Sequence, residues 1–148
     1  MPIQQGEGIG LTLKRSLYLR ANRDLVRALS KEGVDLAVEM LWLRSYGDKR
    51  VASAISMIAG PSDQIAGRHV LVIDGVLDAG RTIKKAVSLI EAAGAASVRV
   101  VALLDKQRAD RVAHADHVGF QIGDDFVIGY GMDDAGRYRA LPYIGRVS

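Results

Sequence analysis

The apolar and polar positions of the chain predict alternating strands and helices. His69–Ile73 reads HVLVI, a nearly continuous apolar run typical of a strand buried on both faces of a parallel sheet. Thr82–Ala93 has the apolar spacing of an amphipathic helix, and Gly94 follows it as a helix-ending residue. Val98–Leu104 is a second buried strand. Residues 69–104 therefore form a strand-loop-helix-strand unit, which implies a right-handed parallel crossover.

The flanking segments carry weaker patterns. Residues 21–29 place their apolar side chains on one side of a helix, with Asn22 as its N-cap. The Gly-rich residues 1–16 are predicted to form a mobile terminus. Three further segments are predicted to be extended: Val34–Leu43, Val51–Ile58 and Phe126–Tyr130. The whole pattern indicates one α/β domain, residues 1–148, with a mostly parallel sheet.

Composition narrows the classes of function. The chain has 148 residues and no cysteine, which excludes thiol catalysis, disulfide frameworks and Cys-ligated metal sites. A net charge of +3 and 5% aromatic residues argue against a nucleic-acid-binding surface. No apolar run reaches the ~18–20 residues of a membrane span, and the first residues lack the pattern of a signal peptide. We therefore expect a cytoplasmic protein without a membrane partner.

The segment between the first buried strand and the following helix has the composition of an anion site. Residues 74–80 are predicted to form a loop that leads into a helix amino terminus, where unpaired N–H groups favour phosphate. Gly80 allows close backbone approach and Thr82 adds a hydroxyl donor. Asp74 and Asp78 suit a ligand that also carries sugar hydroxyls, Mg²⁺ or a proton to be moved. The alternative interpretation is a turn whose Asp and Thr side chains only cap the helix.

The same segment carries a family resemblance. Residues 70–83, VLVIDGVLDAGRTI, resemble the phosphoribosyl-pyrophosphate (PRPP) motif of type I phosphoribosyltransferases. That motif is an apolar strand, two acids, two apolar residues and then Asp-Thr/Ser-Gly-x-Thr. Six shorter segments resemble the hypoxanthine/guanine branch in order and spacing: Leu19–Ala21, Ser45–Gly47, Leu103–Lys106, Val118–Ile122, Phe126–Asp133 and Tyr138–Arg139.

The resemblance implies a fold, a reaction and a set of partners. The fold is a mostly parallel twisted sheet flanked by helices, with a small, abbreviated hood. The implied enzyme is a glycosyltransferase of purine salvage, which joins a 6-oxopurine to PRPP and releases pyrophosphate with Mg²⁺ as cofactor. The family also suggests a homo-oligomer, either a dimer or a tetramer.

The resemblance also assigns roles to residues. Asp78 is the candidate proton acceptor or donor, and Asp74 and Asp133 are the carboxylates near the metal. The residues that would bind the PRPP phosphate and ribose are Asp74, Asp78, Ala79, Gly80, Arg81 and Thr82. Those that would bind pyrophosphate are Arg20, Ala21 and Arg139. The residues that would bind the purine are Lys106, Phe126, Val127 and Asp133. A mobile loop would begin at Ser45 and Tyr46.

Three substitutions and two shortenings depart from the family pattern. Gly75 replaces the second acid, Ala79 replaces a Thr or Ser, and Ala21 stands where glycine is usual. The segment before the first helix and the stretch between Gly47 and Val70 are also short. An alternative is therefore a catalytically weak or inactive nucleotide sensor, regulator or partner subunit. A third hypothesis is an unrelated α/β nucleotide-binding domain.

Overall fold

The computed structural model describes residues 9–14, 20–46 and 54–147 of the chain. Six strands form one sheet in the order β3-β2-β1-β4-β5-β6. In chain order these strands are β1 (Ile9–Lys14), β2 (Leu36–Tyr46), β3 (Ala54–Ala59), β4 (His69–Leu77), β5 (Ser97–Asp105) and β6 (His117–Gln121). The helices are α1 (Arg20–Lys31) and α2 (Arg81–Ala92), with a single 3-10 turn at Asp63–Ile65.

The sheet is parallel except at one edge. β1 lies between β2 and β4 and runs parallel to both, with Ile9 opposite Leu36 on one side and His69 on the other. β4, β5 and β6 continue the parallel order, whereas β3 is antiparallel to β2. The carboxyl ends of the five parallel strands therefore share one edge of the sheet, which confirms the predicted α/β fold.

The two helices cover opposite faces of the sheet. Val70 and Val72 of β4 belong to the main buried cluster, which includes Ile83 and Ile90 of α2. Ile73 packs instead with a second cluster that includes residues of α1. Alternate side chains of a strand point to opposite faces, so both faces of β4 must be apolar. This explains the continuous apolar run at residues 69–73.

The prediction of a mobile terminus over residues 1–16 is wrong for residues 9–14. They form β1, which is paired on both sides within the sheet. Ile9, Leu11 and Leu13 do alternate with Gly10 and other non-apolar residues, a strand pattern that is short and weakened by its glycine. The strand is stabilised by ladders to two neighbours, and sequence-local patterns do not show such pairing. Residues 1–8, 15 and 16 lie outside the described part of the chain.

Three other predictions need correction. Asn22 is the third residue of α1 and is 1% exposed, so it is a buried helix residue rather than the N-cap. β4 continues through Leu77, which leaves only residues 78–80 between it and α2. The predicted late strand ends at Ile128, because Gly129 and Tyr130 both have a positive φ.

The predicted helix over residues 82–93 is displaced by one residue at each end, and Gly94 follows it with a φ of 86°.

Near the carboxyl end of the chain, β7 (Phe126–Ile128) and β8 (Gly145–Val147) pair as a separate antiparallel sheet. We call residues 122–147 the hood. Its small size agrees with the expectation. In the segments that the structure describes, neither helix is long and apolar enough to cross a membrane.

Candidate functional site

A pocket opens at the carboxyl edge of the sheet, where β4 gives way to α2. Its volume is about 320 Å³. Six predicted phosphate- and ribose-binding residues line it together: Asp74, Asp78, Ala79, Gly80, Arg81 and Thr82. The remaining lining residues are Ile55, Val76, Leu77 and Ile83. The predicted anion site is therefore a single concave surface at a helix amino terminus.

Gly80 determines how the chain enters α2. It has a φ of 76° and stands immediately before the first helical residue. A Cβ atom at this position would lie 3.0 Å from the backbone nitrogen of Ala113. The Ala113 segment is held close because the N–H of Val112 donates to the carbonyl of Ala79 at 2.9 Å. Only glycine satisfies both the left-handed backbone and this close approach without strain.

Asp74 lines the pocket with a side chain that is almost fully buried. It is 6% exposed, and its Oδ1 accepts a hydrogen bond from the N–H of Gly75 at 2.9 Å. Within the described residues, no group of three or more His, Cys, Asp or Glu side chains could hold a metal. Mg²⁺ commonly uses one or two protein carboxylates together with substrate oxygens. Asp74 fits that requirement, provided that a phosphorylated substrate supplies the other ligands.

The second predicted metal residue, Asp133, contacts other residues of the hood through both of its carboxylate oxygens. Its Oδ1 lies 2.7 Å from Arg139, and its Oδ2 accepts from the N–H of Gly136 at 2.7 Å. Arg139 also donates to the carbonyl of Gly131 at 3.0 Å. The structure thus joins a predicted purine residue to a predicted pyrophosphate residue. A metal at Asp133 would have to compete with this ion pair.

Lys106 directly follows β5 and lies beside the predicted catalytic acid. Its Nζ is 3.9 Å from Asp78 and 3.9 Å from Asp124 of the hood, and its side chain is 11% exposed. The N–H of Lys106 donates to the carbonyl of Leu77, which ties the end of β5 to the end of β4. A buried ammonium group next to a carboxylate can donate hydrogen bonds and cannot accept them.

Three charged residues that the sequence did not predict as site residues lie next to this pair. Arg108 lies 3.3 Å from Asp78, 2.8 Å from Asp110 and 3.5 Å from Asp124. The Arg108 guanidinium lowers the pKa of Asp110, and Asp110 in turn raises the pKa of Arg108. The available signal was the charge density of residues 106–111, KQRADR, directly after a buried strand.

The hood places its predicted purine residues above the ends of β4 and β5. Val127 packs against the cluster formed by Leu104 and Met132, which also includes Val76. Phe126, at the start of β7, is 50% exposed. An aromatic ring that remains half exposed in this position is available to stack on a planar ligand.

Two predicted pairs of residues have a different local structure from the one expected. Arg20 and Ala21 are the first residues of α1 and do not form a turn. Ser45 and Tyr46 end β2, where Ser45 pairs with the pocket residue Ile55. The remainder of the expected mobile loop, residues 47–53, lies outside the described residues.

Comparison with known proteins supports the resemblance. The family model described as "Phosphoribosyl transferase domain" matches residues 13–135. The bifunctional protein TilS/HprT of Listeria innocua is 44% identical over 112 residues, which cover 74% of this chain and 17% of that protein. The hypoxanthine-guanine phosphoribosyltransferase of Bacillus subtilis is 40% identical over 114 residues, covering 74% of this chain and 62% of the relative. The chain thus spans less than two thirds of both relatives.

The fold of this chain is similar to that of a solved structure over almost its full length. The hypoxanthine phosphoribosyltransferase of Trypanosoma cruzi, in complex with the product IMP, superimposes with a TM-score of 0.87 at 30% identity. The match covers 97% of this chain and 77% of that one. The likeness therefore includes the sheet, α2 and the hood.

Proposed function

Because this chain belongs to the hypoxanthine/guanine branch of the phosphoribosyl transferase family, we propose that it transfers phosphoribosyl from PRPP to a 6-oxopurine. The products are a purine nucleotide and pyrophosphate, and the role is purine salvage. One observation carries the proposal. Asp78, in the pocket at the start of α2, lies 3.9 Å from the nearly buried ammonium group of Lys106. A phosphate site and a purine-reading lysine are thereby adjacent.

The loop before α2 would bind the 5-phosphate of PRPP. Residues 79–82 line the pocket at the amino terminus of α2, where the helix dipole and its unpaired N–H groups favour an anion. Arg81 adds a positive charge and Thr82 a hydroxyl donor. Since Ala79 replaces a hydroxyl-bearing residue, one hydrogen bond worth about 1 kcal/mol is given up at this site.

Asp78 would accept the proton that the purine loses during the reaction. As the purine nitrogen forms its bond to C1 of PRPP, the C1–oxygen bond to pyrophosphate breaks and the N–H proton moves to the carboxylate. The transition state resembles an oxocarbenium ion, so positioning and electrostatics supply most of the catalysis. Lys106 would donate to the exocyclic oxygen at C6. Adenine presents an amino donor there and would be rejected.

The remaining residues would hold the other parts of the substrates. Phe126 would stack on the base, and the Val127 backbone would contact its edge. Arg139 would bind pyrophosphate, with Asp133 as its partner. Ser45 and Tyr46 would begin the loop that closes over the site and excludes water.

Mg²⁺ would be held by Asp74 together with substrate oxygens. When bound, it neutralises charge on the pyrophosphate leaving group and orients the ribose. Gly75 supplies no second carboxylate, so the protein's contribution to this metal site is small. Asp133 would bind the metal only by giving up its contacts to Arg139 and Gly136.

We propose Lys14 as a further candidate for the pyrophosphate role given to Arg20 and Ala21. Arg20 and Ala21 lie within the first turn of α1, whereas Lys14 is the last residue of β1. Leu13 pairs with Ile73, so Lys14 comes at the level of Asp74 on the carboxyl edge of the sheet. The position of Lys14 along β1 supports this proposal, since ligands bind beyond the carboxyl ends of parallel strands.

The proposal is tested by mixing the purified protein with PRPP, Mg²⁺ and each of hypoxanthine, guanine, xanthine and adenine. We expect rapid nucleotide formation with 6-oxopurines and far slower formation with adenine. Asp78→Asn should reduce turnover by at least about a hundredfold while PRPP still binds. Asp63→Asn, outside the pocket, is the matched control. Full turnover by Asp78→Asn would remove Asp78 from its role.

A second candidate is a nucleotide-binding protein without turnover. The observation that favours it is Gly75, which lies inside β4 beside Asp74 and carries no carboxylate. Calorimetric binding of PRPP or IMP, combined with no turnover on any base, would support this function. Restoration of turnover by Gly75→Asp would then identify the missing acid as the cause.

We further propose that the protein acts in the cytoplasm as a homodimer or homotetramer. The family resemblance supports both statements. Size-exclusion chromatography with light scattering would distinguish these assemblies from a monomer.

A further inference from the structure

We propose that Arg108 is a positioning residue that ties Asp78 to the hood and thereby keeps Lys106 available to the purine. This inference rests on the proposed function and adds a specificity-determining residue to it. Arg108 touches neither substrate in the proposed arrangement. Its effect would pass through Asp78, Lys106 and the hood residue Asp124.

The guanidinium group of Arg108 is fixed by Asp110. Nε donates to Asp110 Oδ1 at 2.8 Å, and one terminal nitrogen donates to Oδ2 at 3.1 Å. Such a two-point contact sets both the position and the plane of the guanidinium group. The same Nε also lies 3.3 Å from Asp78, and the other terminal nitrogen lies 3.5 Å from Asp124. Arg108 thus bridges the loop before α2 and the hood.

Lys106 shares the same two carboxylates. Its Nζ is equally distant from Asp78 and Asp124, at 3.9 Å from each. A purine that accepts a hydrogen bond from Lys106 draws this cation toward itself. Arg108 then still balances the charge of both acids. Without Arg108, Lys106 would be held by both acids, and the purine oxygen would compete with them.

Asp124 connects the network to the base-stacking residue. It lies two residues before Phe126, in the turn between β6 and β7. Asp124 is 76% exposed along its side chain, so any single ion pair at this point contributes little to stability. The contacts of Arg108 therefore serve mainly to hold the turn at residues 122–126 in a fixed position relative to Asp78.

The first test is a steady-state comparison of Arg108→Ala with the wild-type protein. We expect KM for hypoxanthine to rise about tenfold, while KM for PRPP and kcat change by less than about threefold. Arg108→Lys should recover part of the loss, because lysine keeps the charge without the two-point contact. Arg99→Ala is the matched control, since it removes an ion pair to Asp116 at 2.7 Å in the first half of β5.

A double-mutant cycle tests the bridge itself. Asp124→Asn alone should raise KM for hypoxanthine, and combining it with Arg108→Ala should add little further effect. Asp124→Asn also serves if Arg108→Ala fails to fold. Fully additive effects would overturn the bridge. An equal rise of both KM values would also overturn it, since that indicates general damage.

Hydrogen exchange of residues 122–126 separates this inference from the proposed function. In the protein without substrates, Arg108→Ala should exchange these amides about threefold faster, and Arg99→Ala should leave them unchanged. If the wild-type protein shows no turnover, the proposed reaction fails, and this measurement decides the bridge. Unchanged exchange in Arg108→Ala would overturn it.

Discussion

The hydroxyl of Tyr130 donates a hydrogen bond to the carboxylate of Asp24, which joins the hood to helix α1. Tyr130 has a φ of 53°, an uncommon backbone conformation for a non-glycine residue. It precedes the segment that carries Asp133 and Arg139. The contact therefore fixes the hood from the face of the sheet opposite to α2.

Removal of this contact should change stability in a pH-dependent manner. The hydrogen bond from Tyr130 lowers the pKa of Asp24 below its usual value of 3.8. A lowered folded-state pKa stabilises the protein above the unfolded-state value, and the stabilisation is lost as pH falls through the folded-state value. Tyr130→Phe should lower the urea midpoint at pH 7, and the difference from the wild type should shrink below pH ~3.8. A difference that stays constant from pH 7 to pH 3 would contradict this account.

Gly80→Ala should destabilise the protein more than an equivalent change elsewhere. Gly67 has a φ of 74° and nothing within 4 Å of an added Cβ, so Gly67→Ala measures backbone strain alone, about 1 kcal/mol. Gly80 has a similar φ of 76° and adds the 3.0 Å approach to Ala113. We expect a loss of about 2–3 kcal/mol in the free energy of unfolding for Gly80→Ala. Equal losses by denaturant titration would show that Ala113 moves freely.

Lys106→Met should reduce selectivity between purines. Methionine keeps much of the apolar stem but donates no hydrogen bond. Loss of a charged hydrogen bond should lower kcat/KM for hypoxanthine by about 10- to 100-fold, with adenine unaffected. Lys85→Met, at an exposed position of α2, is the control and should leave the ratio of the two substrates unchanged. An unchanged ratio in Lys106→Met would place the base reader elsewhere.

Lys14 and Arg20 can be distinguished by single substitutions. Lys14→Ala should raise KM for PRPP about tenfold, because the cation at the end of β1 is lost from the carboxyl edge. If Lys14 alone takes the pyrophosphate role, Arg20→Ala, at the start of α1, should change it by less than about twofold. Competition by pyrophosphate in the same assays provides an independent measure. The opposite ranking would restore the role first predicted for Arg20.

The central part of the fold and site was accessible from sequence. Residues 69–104 contain the apolar run, the helix and the glycine that follows it, and these features are local. The acid-rich segment at 74–82 lies on that unit, so its location followed from the rule that ligands bind at the carboxyl edge. All residues of this segment except Gly75 line one pocket.

The rest depended on contacts between distant residues. β1 is short and contains Gly10, and its stability comes from β2 and β4 on either side. Arg108 gains its place beside Asp78 through the geometry of the turn after β5, where Gln107 has a φ of 52°. No periodicity in the sequence encodes either relationship.

The position of β1 has a consequence for how the chain assembles during synthesis. Ile9 pairs with Leu36 and with His69, so β1 is paired on both sides only after β4 has left the ribosome. Until then, one side of β1 exposes an unpaired row of backbone groups, a surface prone to association with other chains. Non-local parallel pairing of this kind also slows folding. Nascent chains that stop before residue 69 should therefore be bound by chaperones more strongly than chains that extend past β5.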